Sequence, residues 1–165
     1  MRRIMVIACM VGLTTLRVSA QQSEEDRAVV ELVRLLFRGM QLGDSAMVRA
    51  AFTEEVTMAT VYRDKQNNPL INRESSIAGF LKAVGTPHSD QWNEEIWDIE
   101  VKRDGDFAQV LCSYAFYRGH TFSHCGVDAF HLFRGKDGWK IFHLADTRTT
   151  QGCQIPKEIQ RKHQQ

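Results

Sequence analysis

Long apolar runs are the first thing this chain lacks. Its longest, "IMVIACMVGL" at residues 4–13, is about half of the ~20 residues that a helix needs to cross a bilayer. That argues against a transmembrane anchor. Clustered basic residues are missing too: 21 Lys and Arg stand scattered against 20 Asp and Glu. Nucleic acid has no electrostatic footprint to bind, and no such partner is expected. There is no Cys-x-x-Cys and no compact Cys/His cluster, which removes the usual zinc sites. His120 and His124 look like a ligand pair, but four residues of strand span ~13 Å, too far to share a metal. No metal is expected. Repeats and low-complexity linkers are absent, so the chain reads as one domain.

What is present begins with an export signal. "MRR" is a basic start, the apolar run follows, and "VSA" before Gln21 offers small residues for cleavage. A lipobox at Cys9 would leave almost no apolar region, and Arg2-Arg3 lacks the pattern of a twin-arginine signal. Residues 1–20 are therefore expected to be removed. Residues 21–165 remain as a single periplasmic or secreted domain with no membrane anchor. Cleavage takes away Arg2, Arg3 and Arg17, leaving 18 basic and 20 acidic side chains.

Three cysteines stay in the mature chain: Cys112, Cys125 and Cys153. Export permits a disulfide, so one bridge and one buried thiol are expected. The expected bridge is Cys125–Cys153, because Gly152 lets the chain turn back towards the start of a neighbouring strand. Cys112–Cys125, on adjacent strands, competes with it.

Along the chain, "SEEDRAVVELVRLLFRGMQLG" is the clearest element. Ser23 can cap it, acids fill its first turn, and Val29, Leu32, Val33, Leu36 and Met40 recur at helical spacing. Gly43 ends it and Asp44 caps a shorter helix. "EVTMATVY" reads as a strand, "QNNPL" as a turn, and "RESSIAGFLKAV" as a third helix stopped by Gly85 and Pro87. The second half changes character. "EEIWDIEVKR", "FAQVLCSYAFYR", "TFSHCGVDAFHLF" and "WKIFHLADTR" are strands separated by Asp104-Gly105, Gly119-His120 and "GKDG". "RKHQQ" reads as a frayed polar tail. Helices followed by long strands make an α+β domain, with helices on one face of a strongly curved antiparallel sheet.

This order of elements resembles the nuclear transport factor 2-like superfamily. That group includes SnoaL-type polyketide cyclases, ketosteroid isomerase, scytalone dehydratase and lumazine-binding-like exported bacterial proteins. The most telling stretch is "DAFHLFRGKDGWKIFHL", an apolar strand, a glycine-containing turn and then Gly-Trp-Lys-Ile. The resemblance implies a cone-shaped, cystatin-like fold. It also implies either small-molecule binding or cofactor-free proton transfer next to a carbonyl, and a homodimer packed sheet against sheet.

Strand parity nominates the pocket. If Gly119-His120 and Lys136-Asp137 are two-residue hairpin loops, Asp128 lies opposite Leu111 and Ala145, and Phe130 opposite His143. One face then carries His124, Asp128, Phe130 and Leu132 with Trp139, Ile141, His143, Ala145 and Thr147. Leu111, Ser113, Ala115 and Tyr117 join it. The other carries Cys125, Val127, Ala129, His131 and Phe133 with Phe142, Leu144, Asp146 and Arg148. A β-bulge would swap the faces beyond it.

Trp139 and Ile141 are core anchors, which places the first face inside. Asp128 and His143 are then cross-strand neighbours in one apolar cavity, a candidate acid–base pair. His124, Tyr117, Trp97, Tyr62, Phe130 and Trp139 are the expected ligand-binding walls. Asp146 and Arg148 read as an ion pair at the rim. The first functional expectation is a pocket for a small apolar or aromatic molecule. The alternative is a cofactor-independent isomerase, cyclase or dehydratase using Asp128 and His143.

Overall fold

The computed structural model describes residues 11–164, so residues 1–10 of the expected signal lie outside the described residues. Helices α1 (Val11–Leu42) and α2 (Ser45–Ala50) lead into strands β1 (Phe52–Arg63) and β2 (Pro69–Glu74). Helix α3 (Ala78–Gly85) follows, then the meander β3 (Trp92–Asp104), β4 (Phe107–Arg118), β5 (Thr121–Gly135) and β6 (Gly138–Arg148). A short α4 (Lys157–Lys162) closes the chain.

Helix α1 already runs through Ser23, so the start expected there is not a helix end. Its apolar stripe is as read: Val29, Val33, Leu36, Phe37 and Met40 are buried. Gly43 stops it with a left-handed φ of 67°, and the Asp44 carboxylate accepts the Met47 N–H at 2.9 Å to start α2. The third helix begins later than expected. Arg73 and Glu74 stay extended because they pair with Ala59 and Met58 of β1.

The sheet order is β2-β1-β6-β5-β4-β3. It is mixed rather than wholly antiparallel, because β1 runs parallel to β6. A hairpin cannot make that pairing, but the long connection through β2, α3 and the meander can. Register shifts interrupt the β1–β6, β3–β4, β4–β5 and β5–β6 ladders. In β3 the shift falls beside Asp98, whose φ is 50°. Each shift adds twist and bend, so the sheet wraps around the helices as a cone open at one end.

The concave face holds the main core. Val110, Phe130, Leu132 and Ile141 are fully buried against Val29, Val33 and Leu36 of α1, and Trp139 is buried as a core anchor must be. One ion-pair network fastens α1 to the sheet. Glu25 meets Arg103 and Arg134, both at 2.5 Å, while Asp26 meets Arg103 at 3.0 Å.

The convex face carries a second, smaller cluster. A disulfide joins Cys125 to Cys153, leaving Cys112 as a buried free thiol. The chain beyond it lays Ile155 and Ile159 over Ala115, Tyr117 and Trp97. The tail is not frayed through His163, whose ring stacks on Tyr117 at 3.7 Å and whose Nε2 is 3.3 Å from Glu95.

Candidate functional site

Two bulges decide which side chains face the cone. In the β4–β5 hairpin Tyr117 pairs with Phe122 as the loop demands, but Phe116 pairs with His124, leaving Ser123 over. In β5–β6 Leu132 pairs with Ile141, but His131 pairs with His143, leaving Phe142 over. Beyond these points the parity flips on the partner strands. Asp128 lies opposite Cys112 and Asp146, not Leu111 and Ala145.

The expected acid–base pair is thereby separated. Asp128 points into the cone, whereas His143 is on the convex face beside His131, with ring centroids 5.5 Å apart. There its Nδ1 lies 2.7 Å from the Thr57 hydroxyl. Tyr117 and Trp97 are also convex, covered by the C-terminal segment, and do not wall the cone. Phe130 and Trp139 are inside but belong to the closed apolar end; Arg134 sits over the Trp139 ring at 5.4 Å. His124 and Tyr62 keep places near the open end, Tyr62 opposite Arg148 in register and partly exposed. The Asp146–Arg148 pair exists at 3.3 Å, but it faces the cone.

The open end gathers polar groups from five strands: Thr60 of β1, Glu94 of β3, Cys112 and Tyr114 of β4, His124 and Asp128 of β5, Asp146 and Arg148 of β6. This follows from topology, because β1, β4 and β6 end where β3 and β5 begin. Asp146 is held firmly. Its carboxylate accepts from Thr60 at 2.6 Å, from the Tyr114 hydroxyl at 3.1 Å and from Arg148. The Tyr114 hydroxyl is also 3.0 Å from the Thr147 carbonyl oxygen. Gly126 permits that approach, since a Cβ there would stand 1.8 Å from the same oxygen.

Asp128 is held differently. It is 4% exposed, and its Oδ2 has no hydrogen-bond partner among the described residues. Burial, then Glu94, then Asp146 keep its carboxyl well above the usual carboxylate range, against the pull of Arg148. Burial and Asp146 push Glu94 up to about 8, again opposed by Arg148. His124 is pushed down to about 4 by burial, then Arg148 and Arg118. At neutral pH the mouth therefore holds a protonated Glu94 carboxyl and a neutral His124 imidazole, with Asp128 shifted in the same direction as Glu94. Burial and the neighbouring carboxyls also keep the Cys112 thiol and Tyr114 hydroxyl protonated.

Rings line the same end. Trp92 meets Phe116 edge-on at 5.8 Å, and His124 lies 5.1 Å from Phe116 and 5.8 Å from Tyr114. A cleft of about 730 Å³ lies elsewhere, between α2, the start of β1 and α3. Its acids, Glu54 and Glu55, are exposed, and it contains no buried ionisable group to orient a ligand. The buried ionisable groups are at the cone's mouth. Among the described residues no three His, Cys, Asp or Glu side chains converge to hold a metal ion.

Sequence reasoning missed Glu94, Tyr114 and the inward turn of Asp146 and Arg148. One signal was available: Gly126 within a strand pattern marks a bulge or a close backbone approach.

Fold and site together define an α+β cone with apolar depth and an ionisable mouth. The family model described as "Putative lumazine-binding" matches residues 24–143, and the chain belongs to that family. The match ends before Asp146 and Arg148. No curated protein matches the chain. Among solved structures, an NTF2-like protein with a cystatin-like fold from Novosphingobium aromaticivorans is 18% identical, with TM-score 0.66, covering 94% of this chain and 99% of its own. A "putative dehydratase" of the NTF2-like family from Streptomyces avermitilis is 15% identical, with TM-score 0.61, covering 78% and 98%. The beta subunit of a "putative aromatic-ring-hydroxylating dioxygenase" from N. aromaticivorans is 12% identical, with TM-score 0.64, covering 80% and 92%. These likenesses show the nuclear transport factor 2-like fold.

Proposed function

We propose that this chain is an exported small-molecule-binding protein whose ligand occupies the concave face and presents a polar group to Asp128. One observation carries the reading: a buried carboxyl oxygen without a partner, facing the open end of an apolar cone. Leaving such a group unpaired costs about 1–3 kcal/mol, which a ligand can offset. Native mass spectrometry of protein purified from its own host tests this. A retained small molecule, lost from Asp128→Asn, is expected; an empty cone in both proteins overturns it.

Export is supported by the signal pattern and by the Cys125–Cys153 bridge, which persists in oxidising compartments. Edman sequencing of the mature protein should begin at Gln21, and an intact Met1 end rejects export. We also propose a homodimer through the uncovered part of the convex face, where Val61, Phe107, Leu111, Val127 and Phe133 are 37–50% exposed. Light scattering should give twice the chain mass, and a monomer at high concentration removes the proposal.

A second reading, acid catalysis, is favoured by Glu94. A carboxyl pushed up to about 8 holds a proton at neutral pH and can deliver it to a bound carbonyl or hydroxyl. A dehydration or isomerisation would then fail in Glu94→Gln while binding survives.

A further inference from the structure

The mouth gathers three carboxyls, of which that of Asp146 is held by hydrogen bonds from the fold around it. Glu94 and Asp146 oppose the ionisation of Asp128, Asp146 opposes that of Glu94, and the three face one guanidinium. Arg148 is committed to Asp146 at 3.3 Å, and its side chain is 48% exposed. His124 adds no positive charge, because its imidazole stays neutral. Asp128 Oδ2, buried and without a partner, points into this cluster.

Three ligand classes can be weighed against that pattern. An anion would find one cationic partner, Arg148, which Asp146 already engages. A metal ion needs ligands that close on it, and no such convergence of three occurs among the described residues. An organic cation needs neither. It is wide enough to lie among separated carboxyls, and its positive charge is also attracted to ring faces. Three rings stand at this end: Trp92, partly exposed and stacked on His88 on one face at 4.2 Å, and the buried Phe116 and Tyr114.

We propose that the ligand of this mouth is an organic cation, a protonated or quaternary nitrogen on an apolar or aromatic body, received by Glu94, Asp128 and Asp146 against the rings of Trp92, Phe116 and Tyr114. The inference rests on the reading of the cone as a ligand pocket and names the class of ligand. It has a consequence that a neutral ligand does not share. The cation draws Glu94 into its ionised form, so a proton leaves as the ligand enters. The titratable and charged groups facing the site are Glu94 from β3, Cys112 and Tyr114 from β4, His124 and Asp128 from β5, and Asp146 and Arg148 from β6. Glu94 is pushed up to about 8, so the affinity rises with pH until about 8 and then levels.

The test compares benzyltrimethylammonium, whose charge does not titrate, with neopentylbenzene, its neutral isostere, by calorimetry on the mature protein. The cation is expected to bind at least tenfold tighter at pH 8.5. Its affinity should fall by roughly tenfold per pH unit from 8 to 6, with about one proton released per ligand at pH 7. In Glu94→Gln the pH dependence should flatten and the preference for the cation should shrink about tenfold, while the isostere binds as before. If both compounds bind equally, or the cation's affinity is flat from pH 6 to 9, this inference falls and the pocket reading stands. If neither binds, both fall.

Discussion

Asp128 sits where a charged carboxylate is costly, and the cost is visible as pH. Its unfolded form loses a proton near 4, while the folded form keeps it well above that. The folded state thus binds more protons than the unfolded one across that window, and stability must fall as pH rises through it. Asp128→Asn keeps the size and removes the ionisation. The variant should melt higher than the parent at pH 7, by roughly 3–8 °C, with the gap closing towards pH 4. A purely structural Asp128 would give the opposite result, a lower melting temperature at pH 7. Of the residues at the mouth, Asp128 and His124 were legible in the sequence, since a run of polar groups in an apolar strand asks for partners. Glu94 was not, because its inward placement depends on a sheet partner that no local spacing reveals.

At the scale of elements, the decisive features are the two extra residues, Ser123 and Phe142. Each is a single insertion, yet each turns the rest of a strand over, sending His143 outward and Asp146 and Arg148 inward. Gly126 is the point where β5 accepts the backbone of β6. Gly126→Ala forces a methyl into the Thr147 carbonyl and should cost about 2–3 kcal/mol of stability in urea unfolding. It should also break the Tyr114–Thr147 contact, so ligand binding should weaken along with stability. An alanine variant as stable as the parent would show that β6 does not depend on that approach.

At the scale of the whole molecule, the disulfide joins β5 to the segment that covers the convex face. Cys125 and Cys153 lie 28 residues apart in sequence, and closing such a loop contributes about 3–4 kcal/mol by constraining the unfolded chain. Replacing both by serine should lower the melting temperature by about 10 °C and free α4, exposing Tyr117 and Ile159. The cone's mouth is on the other face, so binding at saturating ligand should survive. Loss of binding in the folded double variant would mean that the two faces are coupled.

By itself the sequence determined the α+β class, the amphipathic first helix and the long strands with their loops, and it favoured the Cys125–Cys153 bridge over Cys112–Cys125. Each follows from local periodicity, turn chemistry or the reach of a few residues. The pairing of Asp128 with His143 failed because strand parity is local only between bulges, and a bulge is placed by how the sheet must bend around its helices. The parallel β1–β6 pair and the meeting of Glu94, Asp128 and Asp146 were likewise decided by tertiary structure. Those carboxyls come from strands whose ends are brought together only when the cone closes, and their protonation depends on the burial and mutual repulsion that closure creates.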